Sequence, residues 1–178
     1  LIAKDYIIKE RSLLTAETTQ NNNEFNDVNF ALNEITIARK NTTSMITIET
    51  HLDDEYLTSY WADGLIVSTP TGSTGYSLSC DGPVIMPQAK SLVLTPIAPH
   101  NLNARPLVIP DDITIKLKVS SREKQALISL DSRIFTIDKE TEIIVKKASF
   151  TIKTLQLKNQ TFLKTLREKL LWGEDKRN

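Results

Sequence analysis

The chain is 178 residues long, 40% hydrophobic and 25% charged, which suits one domain, alone or with an appendage, and allows a real core. Its 22 basic and 22 acidic residues cancel, leaving no electrostatic footprint for nucleic acid or an anionic membrane surface, and no apolar run approaches the ~18 residues of a membrane span. A single cysteine, Cys80, excludes an internal disulfide framework and fits a reducing compartment.

Alternation of apolar and polar residues dominates and predicts a mainly β chain, a two-layer β-sandwich with turn signals roughly every eight to twelve residues. The opening Leu1-Ile2-Ala3-Lys4-Asp5 has neither an initiator methionine nor a signal peptide and reads as a cut inside a longer protein. A strand is expected over 9–17, then an Asn-rich hairpin tip over 20–27, then one strand over 30–39. Segments 45–52 and 56–61 read as a hairpin joined at Asp53-Asp54-Glu55. Leu65-Ile66-Val67 form a short buried strand, followed by a short helix from Ser73 or Thr74 to the Gly82-Pro83 pair. Further strands are expected over 92–97, 113–119, 126–130, 133–137, 142–147 and 149–157, with Asp131-Ser132 as a turn. A terminal helix over 162–172 carries Phe162, Leu166 and Leu170 on one face, with Thr161 capping its start and Gly173 its end. It reads as core or subunit-contact surface.

The most informative stretch is Asp63 to Tyr76, DGLIVSTPTGSTGY. Its apolar run stops at Ser68-Thr69-Pro70-Thr71-Gly72-Ser73-Thr74-Gly75, which holds five hydroxyl side chains, two glycines and a proline. A strand that runs into such a turn delivers backbone N–H groups and hydroxyls to one point with no bulky side chain in the way. That suits a nucleotide-sized polar ligand, although a solvated β-turn has the same composition. Neither a Walker A loop nor GxGxxG is present.

Asn33-Glu34 heads one apolar strand and Asp63 precedes another. Two carboxylates and an amide converging on one place are what a ribose diol or a carboxamide needs; singly, each reads as a surface or cap residue. His100 follows two prolines that stiffen its approach, and His51 sits in an acidic hairpin without an assigned role. The run Asp53-Asp54-Glu55 lacks partners at metal-ligand spacing and reads as an acidic hairpin tip. Cys80, with no histidine near it in sequence, reads as a small buried side chain rather than a nucleophile.

Taken together, the residues 63–77, Asn33-Glu34 upstream, Pro96-Ile97-Ala98-Pro99-His100-Asn101-Leu102 with Arg105-Pro106, and the ending 162–178 resemble the NAD kinases of bacteria. The resemblance implies the C-terminal NAD-binding β-sandwich domain over 1–178, with an N-terminal α/β domain bearing Gly-Gly-Asp-Gly absent. It implies phosphorylation of the adenosine 2′-hydroxyl of NAD to give NADP, with ATP or polyphosphate as donor and Mg expected alongside it. By the same resemblance Asn33 and Thr74 would bond the adenine end, Tyr76 and Ser79 would line that pocket, and Gly75 would offer its backbone. Thr71 belongs to the same NAD-binding set. Glu34 would hold ribose hydroxyls, while Asp63 and Ala98 would contact the nicotinamide riboside, often from a neighbouring subunit, so a homo-oligomer, dimer or tetramer, follows.

The sequence departs from the family pattern at Gly75, often alanine, and at Asp81, often glycine. No Gly-Gly-Asp-Gly occurs in it, so the resemblance implies no catalytic residue and no metal site here, and a chain that binds and assembles without turning over alone. Two other readings remain at this stage: a related lipid kinase, which predicts an apolar cleft, and a non-catalytic β-sandwich interaction module.

Overall fold

The computed structural model describes residues 5–20, 23–41 and 44–173. Among these residues, twelve strands form two antiparallel six-stranded sheets. The first has the order β2-β1-β12-β9-β4-β5 and the second β11-β10-β3-β6-β7-β8. The strands are β1 (Tyr6–Thr18), β2 (Phe30–Ala31), β3 (Glu34–Arg39), β4 (Ile46–Leu52), β5 (Glu55–Ala62), β6 (Gly64–Ser68), β7 (Ser91–Ile97), β8 (Leu107–Pro110), β9 (Ile115–Ser120), β10 (Gln125–Leu130), β11 (Arg133–Asp138) and β12 (Glu142–Leu157). Three short helices complete it: α1 (Asn23–Asp27), α2 (Tyr76–Ser79) and α3 (Phe162–Leu170). The expected sandwich, with a short helix after the hydroxyl-rich turn and a helix near the end, is the architecture found.

Alternation builds the core. Leu14 and Ala16 of β1, Ile46 and Ile48 of β4, and Ile115, Leu117 and Val119 of β9 meet Ile35 and Ile37 of β3, Leu65 and Val67 of β6, and Leu92 and Leu94 of β7 in one cluster. Each is at most 1% exposed, so burial of these side chains, worth roughly 1.5–3 kcal/mol for each Val, Leu or Ile, joins the two sheets. β6 departs from simple alternation because all five of its residues are buried. It is central in its sheet and covered on both faces, a setting that selects an uninterrupted apolar run.

Several expected boundaries move. The tip over 20–27 contains the helical turn α1, and its Phe25 is 1% exposed and meets Phe135 edge-on at 5.4 Å; the aromatic ring, rather than asparagine, decides that conformation. Residues 21–22 lie outside the described residues. The single strand expected over 30–39 is broken at Leu32-Asn33. The strands expected over 142–147 and 149–157 are one strand, β12, whose register against β1 shifts between Ser12 and Leu14, opposite the apparent break. β8 was unforeseen. α3 ends at Leu170, and Leu171 (φ 51) rather than Gly173 makes its left-handed cap, while Thr161 accepts from the Lys164 N–H at 3.1 Å as expected. None of α3 is buried, so it is not core within this chain. Cys80 is half-buried, not enclosed, and burial followed by the Asp81 charge holds its thiol above its ordinary pKa.

Removing the Phe25 ring tests whether α1 is part of the core. Phe25→Ala is expected to cost about 3–5 kcal/mol, read as a fall in the urea midpoint, whereas a loop tip carried passively would cost under about 0.5 kcal/mol.

Candidate functional site

The segment after β6 is folded onto the start of β3. Ser68 ends the strand, Pro70 turns the chain, and a 3-10 turn over Gly72–Thr74 leads through Gly75 into α2. Thr69 fastens this segment to the Leu32-Asn33 break: its N–H donates to the Asn33 carbonyl at 2.9 Å and its hydroxyl to the Leu32 carbonyl at 2.7 Å. The Gly72 N–H then donates to the Thr69 hydroxyl at 3.2 Å. At Gly72 a Cβ would lie 2.1 Å from the Asn33 oxygen, so only glycine fits.

Ile35, Ile37, Leu65 and Val67 point into the core, so Glu34, Thr36, Ile66 and Ser68 face the other side of that sheet. Glu34 and Ser68 are register partners there, and Ser77 of α2 closes over the same face, its hydroxyl 2.8 Å from that of Thr95 on β7. Glu34 Oε2 and Ser68 Oγ are both buried with no hydrogen-bond partner among the described residues. A Cβ on Gly75 would lie 3.3 Å from Glu34 Oε2, so the bare backbone of Gly75 and the orphaned carboxylate oxygen share one small space. Burial first, and the neighbouring Asp131 charge second, push the Glu34 carboxyl above its ordinary pKa.

One expectation is corrected by this placement. Asn33, Glu34 and Asp63 do not converge on one point. Glu34 pairs with Ser68 and Ala38 with Gly64, so Asp63, one residue beyond Gly64 and opposite Arg39, lies past the far end of the β3–β6 pair, about 16 Å from Glu34 along the strands. Two groups result. Asn33, Glu34 and Gly75 gather at one end, with Thr71 and Thr74 half-buried in the intervening turn. Asp63 and Ala98 gather at the other, where the Asp63 N–H donates to the Ile97 carbonyl at 3.0 Å and Ala98 takes a positive φ of 44°. Tyr76, at the start of α2, is exposed, and its phenol pKa is raised by burial first, then by Cys80 and by the charge of Asp63. Ser79 is exposed on α2.

The sequence reading gave Arg39 no role, read Asp131 only as a turn residue, and did not single out Ser68 and Thr69 within the hydroxyl-rich turn. Arg39 holds Asp63 by an ion pair of 2.9 Å and by its N–H to the Asp63 carbonyl at 2.9 Å. The loop after Ala98 clips to β5: the His100 N–H donates to the Trp61 carbonyl at 2.8 Å, and the Trp61 N–H donates to Asn101 Oδ1 at 2.7 Å. The Trp61 and His100 rings lie 4.4 Å apart. Asp81, at the expected departure from glycine, has φ 62°, a conformation glycine takes freely and aspartate tolerates. Asp53 and Asp54 form the hairpin turn at φ 47° and 72°, and Asp54 is paired with Lys116. Among the described residues, no three or more His, Cys, Asp or Glu gather where they would hold a metal ion.

A carboxyl whose native pKa is raised contributes stability that is full below its unfolded value and is lost as pH rises through the native value. Glu34→Gln is therefore expected to stabilise the fold above that range by about 1 kcal/mol, the scale of one unsatisfied buried polar group. Urea midpoints across pH 4 to 8 (roughly the carboxyl range and above) check it: wild type and variant should diverge as pH rises, and parallel curves would contradict it. Gly72→Ala should cost about 1–3 kcal/mol through overpacking against the Asn33 carbonyl, seen in the same assay.

Residues 32–157 match the model of the ATP-NAD kinase C-terminal domain. Across all 178 residues the chain is 65% identical to a NAD kinase of Christiangramia forsetii and 62% identical to one of Flavobacterium psychrophilum, in each case spanning 60% of the relative's length. Among solved structures, yeast NADH kinase complexed with NADH aligns with a TM-score of 0.87 at 26% identity, over 98% of this chain and 53% of that one. A NAD kinase from Archaeoglobus fulgidus in complex with ATP aligns with a TM-score of 0.73 at 26% identity, over 85% of this chain and 56% of that one. The chain therefore belongs to the ATP-NAD kinase family, and it matches the C-terminal domain of that family.

Proposed function

We propose that this chain is the dinucleotide-binding and assembly domain of a NAD kinase, whose complete form moves a phosphoryl group from ATP or polyphosphate to the adenosine 2′-hydroxyl of NAD. The observation that carries the reading is the buried, partnerless Glu34 Oε2 beside Gly75. A carboxylate oxygen without a donor, next to a backbone with no side chain, suits the donor hydroxyls of a ribose. Asn33 and Thr74 bond the adenine end, with Thr71, Tyr76 and Ser79 around it. Asp63, fixed by Arg39, and Ala98 serve the nicotinamide riboside from the other end of the β3–β6 pair.

In the reaction the 2′-oxygen forms a bond to the terminal phosphorus of the donor as the bond to its leaving oxygen breaks. This chain's part is to hold the acceptor sugar in a fixed orientation, the contribution on which phosphoryl transfer chiefly depends. Mg would arrive with the phosphoryl donor and neutralise its charge. No Gly-Gly-Asp-Gly occurs in this sequence, so the activating base and the phosphate grip come from elsewhere in the longer protein, and this chain alone binds without turnover. In the assembled enzyme, a homo-oligomer, dimer or tetramer, Asp63 and Ala98 reach the ligand of a neighbouring copy. The enzyme works in the cytoplasm, a reducing compartment that suits the free Cys80.

Calorimetric titration of the full-length protein and of this chain with NAD, NADP and ATP tests the proposal. Saturable NAD binding, weakened about tenfold in Glu34→Gln (one charge-assisted hydrogen bond), is expected for the full-length form. NADP should form from NAD and ATP only with the full-length form. Binding that is indifferent to Glu34→Gln would remove the residue from the site.

A further inference from the structure

We propose that Asp131 is a positioning residue for the nucleotide site, its carboxylate breaking the strand at Leu32-Asn33 and fixing the direction in which Asn33 and Glu34 present themselves. The proposal rests on the reading of Asn33 and Glu34 as nucleotide contacts. Asp131 lies in the two-residue turn between β10 and β11, whose end pair is Leu130 and Arg133. Its Oδ2 accepts the Leu32 N–H at 2.9 Å, and its Oδ1 accepts those of Asn33 at 2.7 Å and Glu34 at 3.2 Å. Its own N–H donates to the Glu34 carbonyl at 2.9 Å.

In a regular strand successive N–H groups point to opposite sides, so three consecutive ones cannot reach one carboxylate. Gathering them makes a concave nest, and an internal anion fills it. That geometry separates Phe30-Ala31 of β2 from the alternating Ile35-Thr36-Ile37 of β3. It also leaves the two acids at this point with different tasks. Asp131 is saturated by backbone donors, whereas Glu34 keeps Oε2 buried and unpartnered. Asp131 adopts φ 52°, where glycine would be free of strain but could not supply the carboxylate.

Arg133 secures the arrangement from the same hairpin. Its guanidinium donates from Nη1 to the Val28 carbonyl at 2.9 Å and from Nη2 to the Phe30 carbonyl, lies 4.9 Å over the Phe30 ring, and approaches Asp131 Oδ2 at 3.8 Å. The turn therefore grips the chain on both sides of the break, at 28–30 and at 32–34.

The test uses the full-length protein with Asp131→Asn, Arg133→Gln, Glu34→Gln and the core control Ile48→Val, remote from the site. Asparagine tolerates the left-handed backbone and keeps one acceptor oxygen while losing the charge. Expected for Asp131→Asn is a roughly tenfold rise in Kd and KM for NAD, the scale of one charge-assisted hydrogen bond, with kcat changed less than about threefold. Its acid limb of NAD affinity should move to lower pH, because Glu34 loses a neighbouring negative charge. Arg133→Gln, which leaves the carboxylate in place, should raise KM in the same direction by less, and stands in if Asp131→Asn does not fold. Ile48→Val should lower the urea midpoint and leave KM and the pH limb at wild-type values. If Asp131→Asn loses stability but keeps the wild-type KM and pH limb, or if a well-folded Arg133→Gln leaves KM unmoved in a background where Asp131→Asn cannot fold, Asp131 is a structural cap only and the proposal fails. If wild type itself does not bind NAD, the nucleotide reading falls and this proposal with it; wild-type binding weakened by Glu34→Gln but not by Asp131→Asn overturns this proposal alone.

Discussion

The carbonyl of Asn33 is the point on which the site is built. It accepts the Thr69 N–H at 2.9 Å and stands where any side chain on Gly72 would have to go. Thr69 also takes the carbonyl before it, and the N–H groups of residues 32 to 34 turn the other way to Asp131. The break between β2 and β3 is thus a fully hydrogen-bonded structure, held by the segment after β6 and by the β10–β11 hairpin together. Backbone groups released from a ladder must find partners, and finding them here draws three distant segments into one place.

Against that satisfied backbone, the unsatisfied side chains stand out. Glu34 and Ser68 face each other across β3 and β6, each with a buried oxygen that no group among the described residues meets. Burying polar atoms without partners costs stability. A protein that binds a hydroxyl-rich ligand accepts that cost in the empty state, because the same atoms favour the bound one. The raised pKa of Glu34 reflects the same tension: until a donor arrives, ionisation there is disfavoured.

How far the chain could be read in advance follows from the range of the interactions involved. Local patterns were legible: alternation gave the sandwich, the Thr161 cap gave the start of α3, and the glycine- and hydroxyl-rich run after Val67 marked the turn that meets Asn33. Asp131 was legible only as a turn residue, because its partners lie 97 to 99 positions away and nothing in Asp-Ser distinguishes an aspartate that caps a remote strand. Arg39 looked like the polar end of a strand until the β3–β6 register set it beside Asp63. The expected meeting of Asn33, Glu34 and Asp63 failed for a related reason. Residue types announce what they can bond, whereas the distance between them is fixed by strand register.

The loop after Ala98 bears on how copies of this domain could meet. β5 is the outermost strand of its sheet, and such a strand offers unpaired N–H and C=O groups to any other strand that arrives. At Trp61 both outward-facing groups are taken, one by Asn101 and the other by His100, and the two aromatic rings lie together beside them. A second chain cannot extend the sheet through that position without first displacing the loop. Strand-to-strand extension of the sheet is thereby blocked at that position, and the margin presents side-chain surface there instead of open backbone.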